Sequence, residues 1–322
     1  MKEYIEVPFR VSERPETAGG RLDAFLAERL QTHSRSLVQK FIREGRVFLR
    51  GRRAKASTRV GVRDTVFIRY PPRREGPSPH AGLPVLFEDE HLLAVNKPGD
   101  VLSHPAGKIV RNAATTILAA QFPGERLHLV HRLDRETSGI LLFAKNPGAA
   151  FRLARQFEER TVSKEYLAVV HGVVGFGERT VDEPIGPEGG RIRVRQAVDR
   201  GRGQPATTHF RRLAAGGRYS LVRAAPRSGR LHQIRVHLAW LGHPVLGDKL
   251  YFGGGAYFLK MTERELGAED FGILGAKRQL LHAGRLSIRH PGNAKLLMLE
   301  APPPEDFQRV IIKEELTDNP VH

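Results

Sequence analysis

The densest cluster of polar residues in this sequence surrounds one aspartate. Asp134 lies between Arg132 and Arg135 in the run HRLDRETSG, directly before the apolar residues ILLF. Neighbouring positive charges favour the ionised form of a carboxylate, and an ionised carboxylate can act as a nucleophile or as a base. Aspartate and serine also cap turns by bonding to the backbone, so residue types and spacing alone leave a structural role for this run open.

A second polar cluster, SGRLHQIRVHL at residues 228–238, has the apolar spacing of a helix. In such a helix His232 and Arg235 fall one turn apart, on a face beside the apolar one. An arginine at this place could pair with an acid. A basic helix that faces solvent fits the same pattern.

A third cluster, KEYLAVVHG at residues 164–172, alternates like a strand and puts Lys164, Tyr166 and Ala168 on one face. A tyrosine there can stack on a nucleic-acid base or move a proton. A half-buried sheet tyrosine is the alternative.

Several classes of chemistry lack their residues. The chain has no cysteine, which excludes thiol nucleophiles, disulfides and thiolate metal sites. The motifs of phosphate-binding loops, hydrolase nucleophile elbows and zinc proteases are absent. None of the 14 histidines stands at ligand spacing with clustered acids. The sequence therefore predicts neither a metal nor a cofactor.

The net charge of +17 favours a polyanionic partner, either nucleic acid or an anionic membrane surface. The first 80 of the 322 residues hold 18 Lys and Arg against nine Asp and Glu, so the excess is concentrated near the N-terminus. We find no apolar stretch of 18 residues and no signal-peptide pattern, and we expect a cytoplasmic protein without a membrane segment.

The elements that must position these residues fall into two groups separated by the proline-rich run YPPRREGPSPHAGLP at 70–84. The spacing predicts a first domain at 1–72, a linker at 73–84, a second domain at 85–300 and a tail at 301–322. The first domain is predicted to hold a helix at 21–30, a second helix capped at Ser34–Ser36, and strands at 47–49 and 65–70.

The second domain reads as an α+β fold with a mixed, largely antiparallel sheet and flanking helices. Strands are predicted at 91–96, 139–145, 164–174, 208–212, 219–225 and 285–289, and helices at 113–122, 149–159 and 231–241. The glycine-led segment 253–277 is predicted to be a loop or insertion, and the tail from Ala301 a short appendage.

The clusters, in this order, resemble the RluA family of pseudouridine synthases. The family motifs H-R-L-D-x-x-T-S-G, K-x-Y-x-A-x-V-x-G and G-R-x-H-Q-I-R-V-H are met at 131–139, 164–172 and 229–237. The opening motif is met at 88–98, a G-H-P-x-x-G-D run ends at Asp248, and RQLLHA at 278–283 matches the closing motif. Leu231 departs from the more common Thr or Ser and leaves every proposed catalytic residue in place.

The resemblance implies conversion of uridine to pseudouridine within RNA, with no cofactor and with Asp134 as the catalytic aspartate. Attack on C1′, attack on C6 and removal of the 2′ proton are all open as its role. Tyr166 would stack on the base or transfer a proton, and Arg235 would orient Asp134. The residues implied to contact the flipped nucleotide or support its pocket are Arg132, Leu281, Arg230, His232 and Gln233.

The first domain resembles the S4 RNA-binding domain, through Arg21–Asp23, Ser34–Ser36, Gly45–Val47, Gly51 and Asp64. Arg50 departs from the family's usual Asn. The resemblance implies a basic platform that grips structured RNA through its phosphates. The side chains expected to do so are Arg35, Lys40, Arg43, Arg46, Arg52 and Arg53.

An S4-like domain ahead of this catalytic domain implies a synthase that acts on large-subunit ribosomal RNA, free or within a precursor particle. Two alternatives stay open: a transfer-RNA pseudouridine synthase, and a non-catalytic RNA-binding or ribosome-assembly factor. We expect a monomer, because no spare apolar helix face is visible in the sequence.

Overall fold

The structure is a computed structural model, and it describes residues 5–11, 19–30, 35–70, 75–107 and 109–316. The chain divides into two compact units. Unit 1 comprises Met1–Arg74, Gly189–Arg193 and Ala256–Leu266, and unit 2 comprises Glu75–Glu188, Val194–Gly255 and Gly267–His322.

Unit 1 begins with a small antiparallel sheet in the order β1-β4-β2-β3, accompanied by two helices. Its elements are β1 (Ile5–Arg10), α1 (Leu22–Leu30), α2 (Arg35–Arg43), β2 (Val47–Leu49), β3 (Arg52–Arg53) and β4 (Thr65–Tyr70). Leu22 and Leu26 of α1 pack with Val38 of α2 in one apolar core, as their helical spacing predicts. The cap expected at Ser34 lies outside the described residues.

Unit 2 has a ten-stranded mixed sheet, which agrees with the predicted α+β class. Its strands are β5 (Val85–Glu88), β6 (Leu92–Lys97), β7 (His128–Leu129), β8 (Ser138–Ala144), β9 (Ser163–His171), β10 (Glu178–Asp182), β13 (Thr207–Ala215), β14 (Tyr219–Pro226), β15 (Leu281–Arg289) and β16 (Leu296–Glu300). The main order is β10-β13-β14-β9-β15-β8-β6-β5, with β16 beside β15 and β7 beside β8. A separate hairpin joins β11 (Ile185–Pro187) to β12 (Gln196–Val198).

Helices lie along this chain as α3 (Ala114–Gln121), α4 (Pro147–Glu158), α5 (Gln233–Trp240), α6 (Ala256–Glu263), α7 (Ala268–Leu274) and α8 (Glu305–Lys313). The β8 strand is buried along its whole length. Its Leu142 packs with Leu153 of α4, and its Leu141 packs with Leu118 of α3 in a different cluster. Two buried faces explain why this strand is a continuous apolar run.

The β8 and β15 strands are parallel neighbours, and their backbones lie close together at Gly139, which pairs with Ala283. Its φ is 112°, and a Cβ there would lie 2.2 Å from the carbonyl oxygen of Ala283. Only glycine fits this position. The close approach brings the start of β15 beside the polar run that precedes β8.

Two sequence expectations are wrong. The segment 253–277, predicted to be a loop or insertion, contains α6 and α7, so the loop alternative is wrong. The tail from Ala301 is not an appendage: α8 inserts Phe307, fully buried, into a core cluster with Leu246 and Leu280. The three prolines directly before α8 favour an irregular chain, and for this reason the sequence pattern did not indicate the helix that follows them.

The predicted linker remains a prediction, but the division between the two units falls between Arg74 and Glu75. The Glu75 carboxylate accepts hydrogen bonds from the backbone N–H groups of Val110, Arg111 and Asn112, each at 2.7 Å. Within the residues that the structure describes, no helix has the length and apolar character needed to cross a membrane.

Candidate active site

Asp134 lies in the turn between β7 and β8, and buried polar contacts hold this turn. Leu133 N–H donates to Ser103 Oγ, which donates in turn to the Leu133 carbonyl. The fully buried Lys97 donates to the carbonyl oxygens of Pro98, Val101 and Arg135. The backbone on both sides of Asp134 is therefore fixed from within the protein.

The carboxylate of Asp134 meets the guanidinium of Arg235, as expected of this pair. Arg235 Nη1 donates to Asp134 Oδ2 at 2.7 Å across 101 positions of sequence. Burial opposes ionisation of Asp134, but the charge of Arg235 and hydrogen bonds from Arg235 and Gln279 outweigh it and hold the pKa of Asp134 below its usual range. The carboxylate is ionised at neutral pH.

A second carboxylate, which the sequence reasoning did not single out, fixes the same arginine. Asp248 accepts from Arg235 Nε at 2.7 Å and from Nη2 at 2.9 Å, in the two-pronged geometry that arginine makes with carboxylates. Asp248 is fully buried and also accepts from the N–H groups of Leu250 and Tyr251. The remaining nitrogen, Nη1, therefore points at Asp134.

Tyr166 comes from β9, on the strand face predicted for it, and lines the same cavity as Asp134. Burial and the negative charge of Asp134 both raise the pKa of the Tyr166 phenol. The hydroxyl is therefore protonated at any physiological pH, and the ring offers an apolar wall.

One cavity brings together every residue that the family resemblance implies for catalysis or nucleotide contact. Its lining includes Arg132, Asp134, Tyr166, Arg230, His232, Gln233, Arg235 and Leu281. Arg132 is exposed, whereas Leu281 is only 4% exposed and forms part of the apolar wall. Lys164 also lines this cavity and donates to the Ser228 carbonyl at 3.2 Å.

Gln233 and Arg230 make internal contacts that favour a supporting role. Gln233 Oε1 accepts from Ser228 Oγ and Arg230 N–H, while its Nε2 donates to backbone and side-chain oxygens on β13. Gln233 is 4% exposed and its polar atoms are occupied. Arg230 Nε donates to the Pro205 carbonyl at 3.2 Å.

Behind the cavity, a network missed by the sequence reasoning holds the residues after Asp134. Lys249 Nζ donates to both oxygens of Glu136, at 2.9 and 3.0 Å. Gln279 donates from its backbone to Glu136 and from its side chain to Thr137 Oγ1. These partners are more than 110 positions apart in the sequence, so no local pattern predicts their contacts. The family motifs in or beside which they lie were the one indication that these residues matter.

In unit 1, α2 and β3 present most of the expected RNA-binding side chains to solvent: Arg35, Lys40, Arg43, Arg52 and Arg53. Arg46 differs. Its guanidinium lies 4.2 Å from the centre of the Phe41 ring and donates to the Arg69 carbonyl and to Glu44. These contacts favour a structural role for Arg46.

Arg35 is held in place at the start of α2. Its Nε donates to the buried carboxylate of Asp23 at 3.1 Å, and Gln39 donates to the same oxygen at 2.8 Å. Burial opposes ionisation of Asp23, but hydrogen bonds from Arg21, Gln39 and Arg35 prevail and lower its pKa well below the usual range. The internal acid therefore orients Arg35 without removing it from solvent.

Comparison with known proteins identifies relatives of both units. A family profile described as RNA pseudouridylate synthase matches residues 91–240, and an S4 domain profile matches residues 20–66. Ribosomal large subunit pseudouridine synthase D of Neisseria meningitidis serogroup B is 35% identical over 304 residues, covering 92% of this chain and 79% of the relative. Ribosomal large subunit pseudouridine synthase C of Escherichia coli K12 is 34% identical over 312 residues, covering 92% and 93%.

Among solved structures, human RNA Pseudouridylate Synthase Domain Containing 4 matches with a TM-score of 0.58 and 27% identity. The match covers 72% of this chain and 93% of the human one.

Proposed function

The chain belongs to the RNA pseudouridylate synthase family, and from this we propose that it isomerises uridine in large-subunit ribosomal RNA with Asp134 as the catalytic carboxylate. The protein is an isomerase with an RNA substrate. One observation carries the proposal for Asp134: an ionised carboxylate held by Arg235 in a cavity that Tyr166 also lines.

The reaction breaks the C1′–N1 bond of uridine, turns the uracil and joins C1′ to C5; the hydrogen of C5 leaves as a proton, and N1 takes up a proton. Atoms and electrons balance within the nucleotide. Asp134 supplies the negative charge beside the glycosidic bond. Arg235 keeps that charge ionised and directed, because two of its nitrogens are already bound to Asp248.

The other cavity residues suit a nucleotide turned out of its helix. Leu281 offers apolar contact to the base, and the Tyr166 ring offers a surface on which the base can pack. Arg132 is exposed at the same cavity and carries a planar cation. Stacked in the space that the base vacates, it offsets part of the cost of flipping, which is a few kcal/mol.

We assign RNA positioning to unit 1. Its exposed cations, above all Arg35, Lys40 and Arg43, suit contacts with phosphates, which position an enzyme on RNA without reading sequence. A precursor of the large ribosomal subunit is a suitable partner for such a platform. The protein is proposed to be cytoplasmic and to act as a monomer. Sedimentation velocity tests the oligomeric state directly.

We favour ribosomal RNA over transfer RNA as the substrate because the bacterial relatives reported above are named ribosomal large subunit pseudouridine synthases. Their similarity extends over more than nine-tenths of this chain. The test is tritium release from RNA labelled at C5 of uridine. Unmodified large-subunit ribosomal RNA and transfer RNA of the same label density are compared with the wild-type chain. We expect release from ribosomal RNA alone.

Release from transfer RNA alone would reassign the substrate. No release from either RNA, or from a precursor particle, would favour an assembly factor and contradict the proposed activity. For the role assigned to unit 1, the RNA affinity of Arg43→Gln is compared with that of Arg46→Gln. Arg46→Gln is the control, because Arg46 is bound to other groups within unit 1 whereas Arg43 is exposed.

A further inference from the structure

His232 has an unusual backbone for a residue other than glycine. It stands immediately before α5 with φ 58° and ψ 17°, in the left-handed region. Residues other than glycine rarely adopt this backbone conformation, and those that do are often found at functional sites. The conformation places the imidazole in the wall of the cavity that holds Asp134.

Two neighbours determine which ring nitrogen carries the proton. The hydroxyl oxygen of Tyr251 lies 3.0 Å from His232 Nδ1, and it accepts the backbone N–H of Gln196 at 3.1 Å. Burial raises the pKa of Tyr251, so its hydroxyl keeps its proton. Nδ1 is the one acceptor within reach of the Tyr251 hydroxyl among the described residues, so the geometry favours a hydroxyl proton directed to Nδ1. His232 Nδ1 is therefore an acceptor.

A neutral imidazole has one N–H, so that proton must lie on Nε2. Burial and the charge of Arg235 lower the pKa of His232 to about 4, which keeps the ring neutral at pH 7. Nε2 lies 3.9 Å from Asp134 Oδ2, too far for a hydrogen bond. The side chain is 12% exposed, and no hydrogen bond from Nε2 exists among the described residues.

We propose that His232 donates a hydrogen bond from Nε2 to an oxygen of the target uridine next to its glycosidic bond, and that Tyr251 acts by fixing this tautomer. The inference rests on the proposed function for its substrate. Two oxygens beside the glycosidic bond have the required chemistry, O2 of the uracil and the 2′ oxygen of the ribose. Both are acceptors within a few ångströms of the bond that Asp134 serves.

The tautomer can be read without substrate. In the wild-type chain labelled with ¹⁵N in histidine, two-bond ¹H–¹⁵N spectra at pH 7 distinguish the two neutral forms. His232→Gln identifies the signal. We expect the proton on Nε2, and a shift toward Nδ1 in Tyr251→Phe. A wild-type proton on Nδ1, or a charged ring at pH 7, would overturn the proposal.

Matched variants test the donor itself. A glutamine amide reaches the position of Nε2, whereas an asparagine amide reaches only that of Nδ1. Single-turnover rates with ribosomal RNA should fall by roughly tenfold in His232→Asn, the worth of one neutral hydrogen bond, and by much less in His232→Gln. Equal losses in the two variants would contradict a donor at Nε2.

A double-mutant cycle separates tautomer control from general support of the β11–β12 hairpin. Tyr251→Phe should slow the wild-type reaction but change the rate of His232→Gln by less than about twofold, because glutamine has no tautomer to fix. An undiminished loss in the glutamine background would mean that Tyr251 acts through the hairpin and would refute its assigned role.

Modified substrates identify the acceptor. If it is O2, the difference between wild type and His232→Asn disappears with 2-thiouridine at the target; if it is the 2′ oxygen, it disappears with 2′-deoxyuridine. A difference that persists with both RNAs would overturn the proposal. Failure of the proposed function is distinguishable, because a wild-type chain inactive on every RNA still gives its tautomer by NMR.

Discussion

Replacing Asp248 with asparagine should lower the free energy of unfolding more than replacing Asp134 with asparagine. Arg235 is 8% exposed and Asp248 is fully buried, and two hydrogen bonds of 2.7 and 2.9 Å join them. Removing one partner of such a buried pair costs about 3–5 kcal/mol, since a buried charge is left short of its counter-charge. Asp134 still faces Arg235, so we expect the lower end, about 3 kcal/mol.

Trp240 makes this loss measurable within unit 2. It is the single tryptophan of the chain and the last residue of α5, the helix that carries Arg235. Urea unfolding followed by its fluorescence gives the free energy of unfolding of the surrounding unit. The midpoint should fall by about 1 M in urea at a slope of about 3 kcal/mol/M, and by more if the slope is smaller.

Asp134→Asn is the matched control, since it removes a carboxylate at the same distance from the same arginine. The Asp134 side chain is 22% exposed and Asp248 remains to balance Arg235, so we expect a loss of about 1 kcal/mol or less. A loss below about 1 kcal/mol in Asp248→Asn, or equal losses in the two variants, would mean that burial of the Arg235–Asp248 pair does not set the cost of breaking it.

Three further perturbations have defined outcomes. Burial lowers the pKa of His131 to about 3, so the contribution of His131 to the free energy of unfolding should fall as the pH drops from 6.5 toward 3, by at most about 1.4 kcal/mol per pH unit. In urea titrations, the free energy of unfolding of His131→Gln should therefore depend less on pH than that of the wild-type chain. The double variant Lys40→Gln/Arg43→Gln should lower the slope of log affinity against log salt by about 0.7–0.9 per lost phosphate contact, whereas exposed Lys313→Gln should not. Phe307→Ala should destabilise unit 2 by about 3–5 kcal/mol in the fluorescence assay; a loss under about 1 kcal/mol would restore the view of the tail as an appendage.

The strand β8 was predictable because burial on both faces leaves a continuous apolar run: the predicted strand 139–145 is observed as Ser138–Ala144. The predicted strand 219–225 is observed as Tyr219–Pro226, although Ser220 and Arg223 interrupt its apolar residues. Short strands at the periphery escaped, because Glu178–Asp182 and Gln196–Val198 carry little apolar alternation. Glu178–Asp182 pairs with residues 207–211, which lie well along the chain and leave no mark on its local sequence.

The start of α5 shows the same limit at the site. Periodicity predicted a helix from 231, but the helix begins at Gln233 because His232 adopts a left-handed backbone. The spacing predicted that His232 and Arg235 lie on one side of a helix, but it did not indicate which residues their side chains contact. The carboxylates that bind Arg235 lie 13 and 101 positions away, in segments whose local sequence encodes no partner.

The most direct test of the central account measures pseudouridine formed by Asp134→Asn under single turnover on large-subunit ribosomal RNA, with RNA affinity measured in the same buffer. We expect no detectable product, with RNA affinity within a few-fold of wild type and with unit 2 still folded as judged by Trp240 fluorescence. Product formed by Asp134→Asn at a rate within tenfold of wild type would contradict the assignment of Asp134 as the catalytic carboxylate.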